Sequence, residues 1–106
     1  MRKITQEAAK AFNNREDFHK DNTTVYNTLS SVTLQLHNND IACIDNAKGG
    51  KLLFTMSGLT NLTTRERLKG IGIIIYQKNF RQFLIVDWAA KEIDPYKWYD
   101  AKWNNV

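Results

Sequence analysis

One cysteine, one proline and two histidines are all that the chain carries of those residues, and each scarcity removes a class of answer. A lone thiol cannot close an intramolecular disulfide, so the core is expected to hold by packing alone, as in a protein of the reducing cytosol. That thiol, Cys43, lies in the apolar run Ile41-Ala42-Cys43-Ile44 without an adjacent basic residue, which predicts a buried, inert sulfur. One Cys and two His at no recognised spacing cannot build a structural zinc site, and no metal or cofactor is expected. His19 falls in a polar stretch and His37 ends an amphipathic strand on its polar register, so both are expected at the surface. No nucleophile motif is present beyond the superficial half-match Ser57-Gly58. The adjacent acids Glu16-Asp17 would diverge in any regular structure and cannot act as a glycosidase pair. Lys48-Gly49-Gly50-Lys51 lacks the phosphate-loop spacing, and Gly70-x-Gly72 ends a helix instead of opening one. The chain is therefore expected to be no enzyme.

Long apolar runs are missing too. Ile71 to Tyr76 contains a glycine and falls far short of the roughly 20 residues of a membrane span. Arg2 and Lys3 are followed by Thr5, Gln6 and Glu7, not by the apolar stretch of a secretory peptide. The protein is expected to stay where it is made, with no membrane partner.

What is present is ordinary globular material, 42% hydrophobic and 25% charged over 106 residues. That length supports one hydrophobic core and not two, so residues 1 to 106 are read as a single domain. Ile4, Ala8, Ala9 and Phe12 recur at helical spacing, with Thr5 as the expected N-cap and Asn13-Asn14 as the stop. Residues 15 to 22, polar apart from Phe18, read as a connecting loop. The period then falls to two. Thr24 to Leu29 forms a weak strand; Val32, Leu34 and Leu36 alternate with polar neighbours; Asn38-Asn39 turns into Asp40 to Ile44. A second turn at Ala47 to Gly50 leads to a strand on Leu52, Phe54 and Met56.

Thr63-Thr64-Arg65-Glu66 has the form of a capping box, with Thr63 accepting from the Glu66 amide, and predicts a brief helix anchored by Leu68 and Ile71. Ile73 to Gln77 and Phe80 to Trp88, joined at Lys78-Asn79, form a hairpin whose continuous apolar runs suggest cover on both faces. Asp94 as N-cap and Pro95 at the first helical position would open a final turn or two, with Tyr96, Tyr99 and Trp103 on one face. The expected class is α+β: an antiparallel sheet of about five to six strands, meander plus C-terminal hairpin, with an N-terminal and a short middle helix.

Charge and aromatics mark two candidate surfaces. Of the net +4, an equal excess lies between Arg65 and Arg81, where Arg65, Arg67, Lys69, Lys78 and Arg81 meet one acid, Glu66. A mimic of DNA would need the opposite sign. With Tyr76 and Phe80 interleaved, this segment has the composition of a nucleic-acid contact, although a charged surface helix beside core aromatics would look the same. The second surface is the tail, where Tyr96, Trp98, Tyr99 and Trp103 alternate with Lys97 and Lys102. Such rings either pack over the sheet or supply the hot spots of an interface.

Several short stretches can be read together: Met1 to Thr5, Ala11-Phe12, Asn22 to Val25, Leu34 to Ala42 and Thr63-Thr64-Arg65-Glu66-Arg67-Leu68-Lys69-Gly70-Ile71. Over roughly the first 75 residues they resemble a widespread group of small accessory proteins of tailed bacteriophages, the Thr-Thr-x-Glu-Arg-Leu element being the most specific part. The resemblance implies a setting, the cytoplasm of an infected bacterium, and carries no functional residues with it. In that setting a non-enzymatic chain is expected to bind a host protein or ribonucleoprotein complex and to inhibit or modulate it, for instance as an anti-CRISPR protein does. Direct DNA or RNA binding by the basic helix and hairpin is the alternative. Monomer and homodimer both remain open.

Overall fold

The computed structural model describes residues 1–102, and Trp103, one of the expected contact aromatics, lies outside the described residues. The first helix, α1 (Lys3–Asn14), buries Ile4, Ala8, Ala11 and Phe12 along one stripe. Arg15 closes it in the left-handed conformation (φ 54°), and the Glu16 amide donates back to the Ala11 carbonyl at 2.8 Å. Thr5 is not its cap. The helix starts three residues earlier, from Arg2 without a side-chain cap, and Thr5 is buried inside it.

Five strands follow with short connections: β1 (Phe18–Lys20), β2 (Thr23–Asn27), β3 (Ser31–Leu36), β4 (Asn39–Asp45) and β5 (Lys51–Phe54). With β9 (Tyr99–Asp100) they form a six-stranded antiparallel sheet in the order β1-β2-β3-β4-β5-β9. β1 occupies the stretch expected to be loop. Its one apolar residue, Phe18, pairs with Val25, and a strand this short shows no alternation to read. A register shift between β3 and β4 at Leu34/Gln35 inserts an extra residue, so that Ile41 and Ala42 in succession are both fully buried.

The helix α2 (Leu62–Gly70) precedes a second sheet of three antiparallel strands, β6 (Ile74–Lys78), β7 (Arg81–Val86) and β8 (Ala89–Ile93). The C-terminal hairpin of the sequence is thus a three-stranded meander. β8 carries no strand signal in the sequence, because Ala89-Ala90-Lys91-Glu92 has a helix-favouring composition that pairing to β7 overrides. The two-residue turns are each displaced by one position, the first one earlier than expected at His37-Asn38 and the second one later at Asn79-Phe80, with a third at Asp87-Trp88. All six turn residues have φ between 49° and 69°, the pair of left-handed positions that matches the twist of a hairpin.

Cover on both faces of the last strands is also corrected. Ile75, Leu84 and Ile93 point into the core, while Ile74 and Tyr76 on the other face are 40% and 41% exposed. Both sheets and both helices feed one hydrophobic cluster, which includes Phe12, Val25, Leu34, Phe54, Leu68 and Leu84. The architecture is α+β. No helical turn forms at Asp94-Pro95; the Asp94 carboxylate accepts from the Tyr96 amide at 2.9 Å, making a tight turn that delivers the chain into β9.

Candidate partner-binding groove

The cap of α2 decides where its charges go. Asn61, not Thr63, is the N-cap, accepting from the Thr64 amide (2.9 Å) and hydroxyl (3.0 Å). The Glu66 carboxylate, which the capping box would turn back on Thr63, instead accepts from Thr5 and from Arg67 at 3.0 Å. Arg67 is only 2% exposed, and its guanidinium also donates to Thr5 (2.7 Å) and Thr23 (3.0 Å). Desolvation lowers its pKa and the Glu66 charge pulls it back up. Arg67 is therefore no surface contact. It is a buried tie joining α2 to α1 and β2, and the most specific part of the phage-like motif serves the core.

The remaining cations do not form one patch. Arg65 leans over the inner side of the β6–β7 hairpin, donating to Gln77 (3.4 Å) and Gln82 (3.3 Å). With Lys69, Glu66, Leu62, Met1 and Ile75 it lines a hollow of about 360 Å³. Lys78 and Arg81 are paired in register on the opposite, outer face of the same hairpin. Arg81 makes a two-point ion pair with Glu92, one contact at 2.8 Å, which holds the Glu92 carboxyl below its ordinary range and raises the guanidinium.

The tail aromatics divide as well. Tyr99 is 8% exposed, packs tilted against Phe54 (5.9 Å between centroids, 32° between planes) and accepts the Asp94 amide on its hydroxyl at 2.8 Å. It is a core residue and not an interface anchor. Tyr96 is 77% exposed and Trp98 half-buried. The position of Tyr96 is set by Gly58 (φ 73°), whose amide donates to the Pro95 carbonyl at 2.9 Å and whose missing side chain leaves room for the Tyr96 ring. A Cβ there would stand 2.4 Å from Tyr96 Cε1.

Between this turn, β8 and the outer side of β4 and β5 lies a hollow of about 860 Å³. Tyr96, Trp98 and Tyr99 form one wall; Lys48, Lys91 and Lys97 supply cations; Glu92 lies among them; Cys43 and Leu53 complete the lining. Lys48 and Lys91 were not among the sequence candidates, since residues from the 3-10 turn Asn46–Lys48 and from β8 meet only through the packing of the two sheets. The Cys43 thiol is pushed up by burial, with Lys48 opposing and Asp45 and Asp40 adding to the rise. It stays protonated near neutral pH.

His19 and His37 are both exposed, as expected, yet they share a hollow of about 230 Å³ with Asp21. His19 Nδ1 bonds the Thr24 hydroxyl at 2.7 Å. Among the described residues no group of three His, Cys, Asp or Glu is arranged to hold a metal. No helix among them is long and apolar enough to cross a membrane.

The fold is that of a small α+β protein. The chain belongs to the Kyanoviridae Gp96 protein family, whose model matches residues 1–105. It is a small phage protein, and the match runs well past the 75 residues that carried the sequence resemblance, through the second sheet and the tail. No curated protein and no solved structure matches it.

Proposed function

We propose that this phage protein is a non-enzymatic accessory factor that binds a host protein or ribonucleoprotein complex in the host cytoplasm and inhibits or modulates it, as host-takeover and anti-defence proteins do. The convergence of Tyr96 and Trp98 with Lys48, Lys91 and Lys97 on one groove supports this reading. Aromatic rings give large contact area at little entropic cost, and lysines at the rim steer association and fix orientation. Gly58 and the Asp94 turn hold the Tyr96 ring in place before any partner arrives, so little ordering of that residue remains to be done on binding.

The three lysines also favour a second reading, direct binding of DNA or RNA along the same groove. Affinity capture from host lysate with wild type, Trp98→Ala and Lys48→Glu, with and without nuclease, separates the two. A protein partner should survive nuclease and a change from about 50 to 200 mM salt, and be lost with Trp98→Ala. Phosphate-driven binding should fall by orders of magnitude over that salt range. Capture that is indifferent to Trp98→Ala and to Lys48→Glu removes the groove from either role.

A further inference from the structure

The register of the second sheet puts Ile74, Tyr76 and Lys78 of β6, Arg81, Phe83 and Ile85 of β7, and Ala90 and Glu92 of β8 on one outer face. The turns at the two ends of β7 add Phe80 and Trp88, which are 92% and 101% exposed. Two fully exposed aromatic rings on non-glycine, positive-φ positions are costly to keep in water and call for a partner.

Read outward from Leu84, the outward-facing residues of β7 and those of its turns are symmetric in apolar character and antisymmetric in charge, whereas Gln82 and Val86 on the inner side do not match. Phe83 answers Ile85, Arg81 answers Asp87, and Phe80 answers Trp88. On β6 the residues paired with Phe83 and Ile85 are Tyr76 and Ile74, again both apolar. An isologous twofold interface demands this pattern, in which each group meets its complement on an identical copy. We propose that the outer face of the β6-β7-β8 sheet is a homodimer interface, two copies stacking face to face about a twofold axis that crosses β7 at Leu84.

Charge argues for a second copy over a polyanion. Lys78 and Arg81 are balanced by Asp87 and Glu92, so this face is neutral in a chain of net charge +4. The rings are also partly engaged: Phe83 stacks on Tyr76 (5.2 Å, 17° between planes) and lies under the Arg81 guanidinium at 5.8 Å, which takes up surface a nucleobase would need. Area is sufficient. Phe80 and Trp88, at about 150–250 Å² apiece, with two-fifths of Ile74 and Tyr76 and the charged flanks, approach the roughly 800 Å² that each partner gives to a standard interface.

Sedimentation equilibrium of the full chain from micromolar to millimolar concentration tests this. The expected mass is twice the 12.3 kDa of one chain. Asp87→Arg alone and Arg81→Asp alone place like charges opposite each other twice per dimer and should each weaken it about tenfold. Mixing the two variants sets opposite charges at positions 81 and 87 across the interface, although Glu92 loses its Arg81 partner in one of the chains, and should restore association well above that of either variant alone. A second measurement needs neither charge variant: on a Cys43→Ser background, Phe80→Cys mixed with Trp88→Cys should form an intermolecular disulfide on oxidation in preference to either variant with itself. A single-chain mass at every concentration would overturn the proposal. So would a dimer indifferent to these charge changes, or charge variants that associate no better mixed than apart, or cysteine variants that cross-link no faster as a mixture.

Discussion

A guanidinium can be buried only where its charge and its donors all find partners, and Arg67 meets that condition through Glu66, Thr5 and Thr23. Glu66→Ala removes the counter-charge and leaves Arg67 stranded, which should cost about 3 kcal/mol in urea unfolding. Arg67→Met combined with Glu66→Gln should cost less than that single change, since no buried charge is left over. The cap offers a sharper contrast. Asn61→Ala loses the acceptor of the Thr64 amide and should cost about 1 kcal/mol, whereas Thr63→Ala, the residue the sequence points to, should change stability by less than about 0.5 kcal/mol. The raised Cys43 thiol predicts alkylation by iodoacetamide at mildly alkaline pH several-fold slower than that of an unstructured cysteine peptide, the difference vanishing in urea.

Two elements meet closely at Gly70. A Cβ there would lie 2.7 Å from Thr5 Cγ2 and 3.3 Å from the Thr5 carbonyl oxygen, against the backbone of α1. Gly70→Ala should therefore destabilise by about 1–2 kcal/mol, although the same change in an open helix would stabilise. In the second sheet the Arg81–Glu92 pair sets a pH dependence. Glu92 has its folded pKa lowered, so its contribution is fully present above the ordinary carboxylate range near pH 4 and is lost as pH falls through the folded value. Melting curves of wild type and Glu92→Gln should thus differ at neutral pH and converge in acid; a gap that persists well below pH 4 would contradict this assignment. The pair is exposed at both ends, so the effect should be small and weaken in salt.

At the scale of the molecule, most of the fold can be read from the sequence because strands with one buried face announce themselves by period two, as Val32, Leu34 and Leu36 do. The N-terminal helix, the meander and the middle helix all follow from local pattern. β1 and β8 escaped it, the first for lack of apolar residues and the second because its composition favours another state. The candidate site was legible only in fragments: Tyr96 and Trp98 stood out in the sequence as aromatics of either core or interface, while Lys48 and Lys91 had no signal of their own. A pull-down that fails with Trp98→Ala but survives Lys69→Glu would place the partner in the groove and away from the α2 hollow. The sequence by itself determined the kind of protein this is, an α+β chain without disulfide or zinc motif, because composition and periodicity act through neighbours along the chain. Which cations and rings face outward was decided only by tertiary structure. Arg67 and Tyr99 look like contact residues until long-range packing supplies Thr5, Thr23 and Phe54, and desolvation by partners distant in sequence leaves no trace in local order.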